Sequence, residues 1–262
     1  MSPAERAIDD VASPSIDHAL DRLIGAERLL VGLDYDGTLA RIVDDPRDAT
    51  PHAASISALT DLAQLPSVTC AVISGRERSV LAELSGLGPP VLLIGCHGAD
   101  GGDERSLPRP TDLVQLRQCA EELASRNRGV IVEEKPTGVA VHYRQVAADQ
   151  RDRVRADIER SLRDLGSTVA SLLHGKLVVE AGVVPLDKGA ALERLRRMTG
   201  ADGVLFIGDD FTDELAFARL GPDEVGVKVG AEPTIAQYRV GDVDAVGLLL
   251  QALLAGVSAA RR

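Results

Sequence analysis

Cysteine is scarce: Cys70, Cys96 and Cys119 are the only three in 262 residues, an odd number in unpatterned positions. That excludes a disulfide framework, and a chain of this length buries roughly three quarters of its unfolded surface without staples. The expected setting is reducing, the cytoplasm. The first residues carry Glu5, Asp9 and Asp10 and no apolar run of the secretory kind. The longest apolar stretch, Val246 to Val257, is interrupted by Gln251 and falls below the ~20 residues that span a bilayer, so no membrane partner is expected. Excess positive charge is missing too. The formal net charge of -11 disfavours nucleic acid as a partner and requires any bound phosphate to be held by local cations. Lysine is rare among the basic residues, with only Lys135, Lys176, Lys188 and Lys228. In a chain that otherwise uses arginine, a lysine points to a place needing a compact point charge; drift on a solvated surface is the alternative. The histidines are scattered and, with unpaired cysteines, offer no zinc spacing.

What is present is a recurrent pattern of short apolar runs at 29–33, 68–73, 91–95, 204–207 and 225–229, after a leading helical pattern over 1–27. Helical periodicity at 52–64 and 77–85 separates the early runs. The alternation predicts an α/β fold, a Rossmann-like, doubly wound parallel sheet with helices on both faces. In such sheets ligands bind at the carboxyl ends of strands. Asp34, Ser74, the Gly95-Cys96-His97-Gly98 segment and Asp209 each follow an apolar run, so one rim collects them.

The middle of the chain differs. After Pro108 and Pro110 come a helix (112–126), strands (129–135 and 138–144), a helix (150–165) and strands (167–173 and 176–180). Gly182 and Pro185 close this stretch before Leu186-Asp187-Lys188-Gly189 opens another helix. Prolines at both junctions predict an inserted smaller α+β domain over 108–185, with 1–107 and 186–262 forming the core domain. Residues 244–262 read as an amphipathic helix packed on that core. Strand alternation in the insert puts Glu133, Lys135, His142, Arg144, Lys176 and Glu180 on the face opposite its apolar side. A solvated sheet face and a surface gripping a hydroxyl-rich, charged ligand both fit.

Four short segments carry the chemistry. In Asp34-Tyr35-Asp36-Gly37-Thr38 the two carboxylates point the same way from an extended backbone and repel unless a cation or a proton lies between them. They ask for a metal, an acid/base pair, or both. In Ile73-Ser74-Gly75-Arg76 a small hydroxyl and free backbone N–H groups end a strand and begin a helix, which suits an anion. Lys188 starts a helix. Gly208-Asp209-Asp210-Phe211-Thr212-Asp213-Glu214 adds a second acidic cluster after a strand. The oxygen-only donors suit Mg²⁺.

These segments, in this order, resemble the haloacid dehalogenase superfamily of phosphotransferases across essentially the whole chain, and the insert resembles its type C2 cap. Val132-Glu133-Glu134-Lys135, Val141-His142-Tyr143-Arg144, Lys176 through Glu180 and the Gly-Asp-Asp-Phe-Thr-Asp-Glu element resemble, more narrowly, the trehalose-6-phosphate phosphatases. The resemblance implies an enzyme that hydrolyses the phosphate ester of a small-molecule sugar phosphate, trehalose 6-phosphate. Asp34 would be the nucleophile, forming an aspartyl-phosphate, and Asp36 the proton shuttle. Lys188, Ser74 and Gly75 would hold the phosphate, and Asp34, the Asp36 carbonyl and Asp209 the Mg²⁺. Asp210 and Asp213 would orient metal waters and Lys188. Arg76, His97, Gly98, Glu133, Lys135, His142, Arg144, Lys176 and Glu180 would contact the sugar. A monomer is expected.

Two departures from that pattern lie where the sugar would sit. Glu180 is followed by Ala181-Gly182 where the family has an apolar residue and then arginine, and Asp100 replaces a glutamate. The alternative reading is a phosphatase of another sugar phosphate or trehalose-like pseudo-disaccharide phosphate with the same mechanism. A C2-capped phosphomutase and a catalytically silent regulatory relative rank below it.

Overall fold

A computed structural model describes residues 16–101 and 107–261. Its central sheet is parallel throughout. Strands β1 (Leu29–Leu33), β2 (Val68–Ile73), β3 (Leu92–Ile94), β8 (Gly203–Gly208), β9 (Val225–Val229) and β10 (Tyr238–Val240) run in the order β10-β9-β8-β1-β2-β3. Strands β1, β8 and β9 are buried at every position, which is why they read as unbroken apolar runs: both sheet faces are covered.

One face carries Val31, Leu33, Cys70, Val72, Leu205 and Ile207 against helices α1 (Ile16–Ile24), α2 (Ala53–Ala63) and α8 (Val243–Ala260). The other carries Leu30, Ile73, Val204 and Phe206 against α6 (Lys188–Thr199) and the short α7 (Glu214–Phe217). Helix α3 (Arg78–Ser85) connects β2 to β3.

The leading helix expected over 1–27 is described only from Ile16; residues 1–15 lie outside the described residues. Strand β10, three residues long, was not expected. Helix α8 is long and apolar enough to cross a membrane by length and composition, more than the Val246 to Val257 stretch suggested. Its Val246, Leu249, Leu250, Leu253 and Val257 are buried in the core. All three cysteines are free thiols, two of them buried.

Between β3 and α6 the chain builds a separate four-stranded antiparallel sheet of β4 (Ile131–Lys135), β5 (Gly138–His142), β6 (Ser171–Gly175) and β7 (Val178–Gly182), in the order β4-β5-β7-β6. Helices α4 (Val114–Arg126) and α5 (Arg151–Arg163) cover one face of it. Leu116, Leu123, Val154, Ile158 and Leu162 from the helices pack on Val139, Val141, Val179 and Ala181 from the strands. The helix-strand-strand unit occurs twice, as expected.

The last hairpin is shifted from its expected position. Its strands are 171–175 and 178–182, paired to the end at Gly175–Val178. Lys176 and Leu177 form a two-residue connection, with Leu177 at φ 65°, the positive φ that tight hairpin connections use. Lys176 is therefore an exposed turn residue rather than part of the strand face.

Candidate active site

The register of the parallel sheet assembles the site. Leu33 pairs with Val72 on one side and Ile207 on the other. The segments following β1, β2 and β8 therefore emerge together at the carboxyl edge. Asp34 donates its backbone N–H to the Ile207 carbonyl at 2.9 Å, so the first carboxylate leaves the sheet while still tied to it.

Lys188, the first residue of α6, is 1% exposed. Its Nζ lies 2.9 Å from Asp34 Oδ1 and 2.8 Å from Asp213 Oδ1. The Asp187 side chain caps this helix by accepting from Ala190 N, which fixes where Lys188 starts. Asp34, Asp209 and Asp213 each offer a carboxylate oxygen within 4.8 Å of the others. Gly37 makes this closeness possible. At φ 78° it turns the loop, and a Cβ there would stand 2.0 Å from Asp209 Oδ2.

The electrostatics follow from burial. Burial pushes the Asp34 carboxyl well above its ordinary value; Lys188 opposes this, and the Asp213, Asp209 and Asp36 carboxylates reinforce it. Asp209 rises to about 7, through burial and then Asp213. Lys188 rises despite burial, because Asp213 and Asp34 favour its charge. With all three carboxylates ionised, they and the Lys188 ammonium leave two negative charges, which one divalent cation would balance; without it, burial and mutual repulsion push the Asp34 and Asp209 carboxyls up. Asp209 Oδ1 is buried with no hydrogen-bond partner. An orphaned carboxylate oxygen beside two others, all hard donors, fits Mg²⁺.

The second acidic segment divides its labour. Asp210 caps the turn, accepting from Phe211 N at 2.7 Å, while Asp213 Oδ2 accepts from Asp210 N at 2.9 Å. Asp210 is exposed and Asp213 is fully buried. Asp213 thus reaches Lys188, and the Asp210 carboxylate is spent on the cap of the turn. Behind this segment, Lys228 of β9 is 1% exposed, donates to the Asp209 carbonyl and faces Glu214 at 3.9 Å. Lys228 carried no expected site role; its rarity as a lysine was the signal that could have placed it here.

Ser74 follows β2 and is 1% exposed. Its Oγ accepts from Arg76 N at 3.2 Å. Gly75 lies beneath the His97 ring, where a Cβ would meet Cε1 and Nε2 at 2.6 Å. Cys96 and His97 both hold positive φ, 49° and 51°, followed by Gly98 at 103°. Two consecutive non-glycine residues in that region store local strain of the kind found at ligand-binding loops. Arg76 lies at the same rim, but its guanidinium fork is taken by Asp36, with contacts of 2.7 and 2.6 Å.

The second sheet turns its uncovered face to this rim. Lys135 Nζ lies 2.7 Å from Glu180 Oε2 and 3.1 Å from the Gly75 carbonyl. His97 Nε2 lies 3.4 Å from the same Glu180 oxygen. Lys135 and Glu180 are both 8% exposed. Burial disfavours the Glu180 carboxylate, yet the His97 hydrogen bond and the Lys135 charge outweigh it and hold the group down at about 2. Glu133 and His142 pair at 2.9 Å further out on that face. Arg144 lies past the end of β5, exposed, with its carbonyl accepting from Arg151. The structure thus brings Glu133, Lys135, His142 and Glu180 together on one face and leaves Arg144 and Lys176 beyond the strand ends.

The two departures are local. At Gly182 a Cβ would meet Leu186 Cγ at 2.8 Å and the Val184 oxygen at 2.9 Å, so this backbone has no room for the missing arginine. Asp100 lies beside Arg78 at 3.5 Å.

A parallel core with acidic loops at its carboxyl rim and a separate antiparallel sheet beside it is a capped α/β fold, and a Bacteroides thetaiotaomicron phosphatase of the haloalkanoate (HAD) superfamily shares that fold with a TM-score of 0.59 at 20% identity. The trehalose-phosphatase family matches residues 32–244, and the chain belongs to that family. A bifunctional trehalose-6-phosphate synthase/phosphatase of Thermoproteus tenax is 34% identical over 95% of this chain and 35% of its own. A trehalose-phosphate phosphatase of Mycobacterium avium is 37% identical over 80% of this chain and 56% of its own. The chain thus spans from about a third to just over half the length of these relatives. The C-terminal domain of a Candida albicans trehalose-6-phosphate phosphatase superposes with a TM-score of 0.77 at 23% identity, covering 91% of this chain and 96% of that one, which is likeness of fold.

Proposed function

We propose that the chain hydrolyses trehalose 6-phosphate to trehalose and phosphate through an aspartyl-phosphate on Asp34. The observation that carries this reading is the buried Asp34, held on one oxygen by Lys188, at a rim whose Gly75 and His97 meet Lys135 and Glu180 of the second sheet.

With Oδ1 on Lys188, the other oxygen of Asp34 is left for attack. An Asp34 oxygen–phosphorus bond forms as the bond from phosphorus to the sugar oxygen breaks. Asp36 protonates that leaving oxygen, then takes a proton from the water that attacks the phosphoryl group and frees Asp34. Lys188, the Ser74 hydroxyl and the Gly75 backbone hold the remaining phosphoryl oxygens. Asp34, the Asp36 carbonyl and Asp209 would hold Mg²⁺, which would supply neutralisation of charge as one anion approaches another. Asp213 keeps Lys188 in place, and Asp210 keeps Asp213 in place.

Residues 108–185 act as the cap, closing over the sugar and excluding bulk water. Glu133, Lys135, His142 and Glu180 read its hydroxyls from above, and His97 and Gly98 from the rim. Arg144 and Lys176 act from the cap's margin. Gly182 in place of the family arginine favours a second reading, the same chemistry on a different sugar phosphate.

A phosphate-release screen over glucose 6-phosphate, sucrose 6-phosphate and trehalose 6-phosphate separates the two readings. Preference for trehalose 6-phosphate, dependent on a divalent metal and lost in Asp34→Asn, is expected. Preference for another ester overturns the substrate, and activity in Asp34→Asn overturns the mechanism.

A further inference from the structure

Arg76 was expected on the sugar, yet its surroundings tie it to another residue. Nε lies 2.7 Å from Asp36 Oδ2 and Nη2 lies 2.6 Å from Asp36 Oδ1, a fork-to-fork pair that engages both carboxylate oxygens. The Arg76 side chain is 12% exposed and the Asp36 side chain 38%, so the arginine is the anchored partner and the carboxylate the freer one.

The anchor is firm on every side. The guanidinium carbon stands 5.6 Å from the centre of the Tyr35 ring. Tyr35 is fully buried, and its hydroxyl donates to the Ala49 carbonyl at 2.7 Å. The Arg76 backbone N–H is held by Ser74 Oγ and its carbonyl by Cys96 N. One residue earlier, the Gly75 carbonyl accepts from Lys135 of the cap.

We infer that Arg76 is a positioning residue for Asp36. Braced on the Tyr35 ring, its guanidinium sets the direction of the Asp36 carboxylate, which a half-exposed side chain flanked by Gly37 would not hold by itself. Because its Nε and Nη2 are both used on Asp36, Arg76 acts on the reaction through that carboxylate and not through the sugar. A planar fork is needed for this; a lysine supplies the charge without the second contact.

This inference rests on the proposed role of Asp36 as proton shuttle, and the test separates the two. Steady-state phosphate release is measured for wild type, Arg76→Gln, Arg76→Lys, Asp36→Asn and the Arg76→Gln/Asp36→Asn pair. Trehalose 6-phosphate is the substrate, with p-nitrophenyl phosphate for the weakest variants, and circular dichroism checks folding. Loss of orientation at a reacting group costs on the order of 10²-fold. Arg76→Gln should therefore lower kcat by roughly that factor with KM within about twofold of wild type. Arg76→Lys should recover only part of kcat, and Arg76→Gln should cost nothing further once Asp36 is Asn.

A raised KM with unchanged kcat places Arg76 on the substrate and overturns the inference. So do losses that multiply in the double variant, and so does full recovery by Arg76→Lys. Should Arg76→Gln fail to fold, the lysine variant and its pairing with Asp36→Asn carry the same comparison. Wild-type kcat in Asp36→Asn refutes the underlying role of Asp36 instead.

Discussion

Replacing Glu180 with glutamine tests the junction between cap and core. Glu180 is 8% exposed, pairs with Lys135 at 2.7 Å and takes His97 at 3.4 Å on the same oxygen. Burial by itself raises a carboxyl, so these two partners must more than offset it to hold the group at about 2, against an ordinary 4.5. That difference is worth about 3 kcal/mol at neutral pH. Glutamine keeps the shape and removes the charge, leaving the Lys135 ammonium buried without its paired carboxylate and with only neutral oxygens, the Gly75 carbonyl among them, in contact; breaking a buried pair this way costs about 3–5 kcal/mol.

The sign of the pH dependence is fixed by the downward direction of the pKa. The contribution is fully present above the unfolded value of 4.5 and is lost as pH falls toward about 2. Urea denaturation of wild type and Glu180→Gln across a pH series should show a destabilisation of about 3 kcal/mol, level from pH 8 to about 5 and less than half as large near pH 3. A difference that is absent at pH 7, or that stays level down to pH 3, refutes the reasoning.

Three further outcomes are expected. Mg²⁺ should raise the melting temperature of the wild type, chelation should reverse this, and Asp209→Asn should blunt the response, since Asp209 Oδ1 is buried without a partner; a thermal shift series checks it. Gly37→Ala should destabilise by at least roughly 1–2 kcal/mol from its left-handed backbone alone and weaken the Mg²⁺ response, because its Cβ would stand 2.0 Å from the Asp209 carboxylate. Gly182→Arg, which restores the family residue, should lower the melting temperature rather than improve catalysis, because the Cβ meets Leu186 Cγ and the Val184 oxygen; a gain in kcat/KM would contradict this.

The parallel core was legible because its strands are buried on both faces and therefore appear as apolar runs, each ending in a polar loop. The rim followed from that topology alone. Lysine scarcity pointed to buried charge at three of four positions: Lys135, Lys188 and Lys228 are buried ion-pairing or carbonyl-binding groups, while Lys176 stands on a turn. The hairpin at Lys176-Leu177 was misplaced because neither residue is a turn former, and tertiary pairing imposes the positive φ on Leu177. The fork between Arg76 and Asp36 was not legible at all. The two residues are 40 apart in sequence, and they meet only because β1 and β2 pair in the register that sets Leu33 beside Val72. Nor could spacing show that Asp213, rather than its neighbour Asp210, turns inward to Lys188.

The central claim is that the Asp34 carboxylate takes the phosphoryl group. Wild-type protein mixed with trehalose 6-phosphate and Mg²⁺, quenched in acid during the first turnover and digested, tests it directly by mass spectrometry. The account predicts one phosphoryl group on the peptide carrying Asp34, absent in Asp34→Asn. Phosphate released at the wild-type rate with no phosphoryl group on that peptide would contradict it.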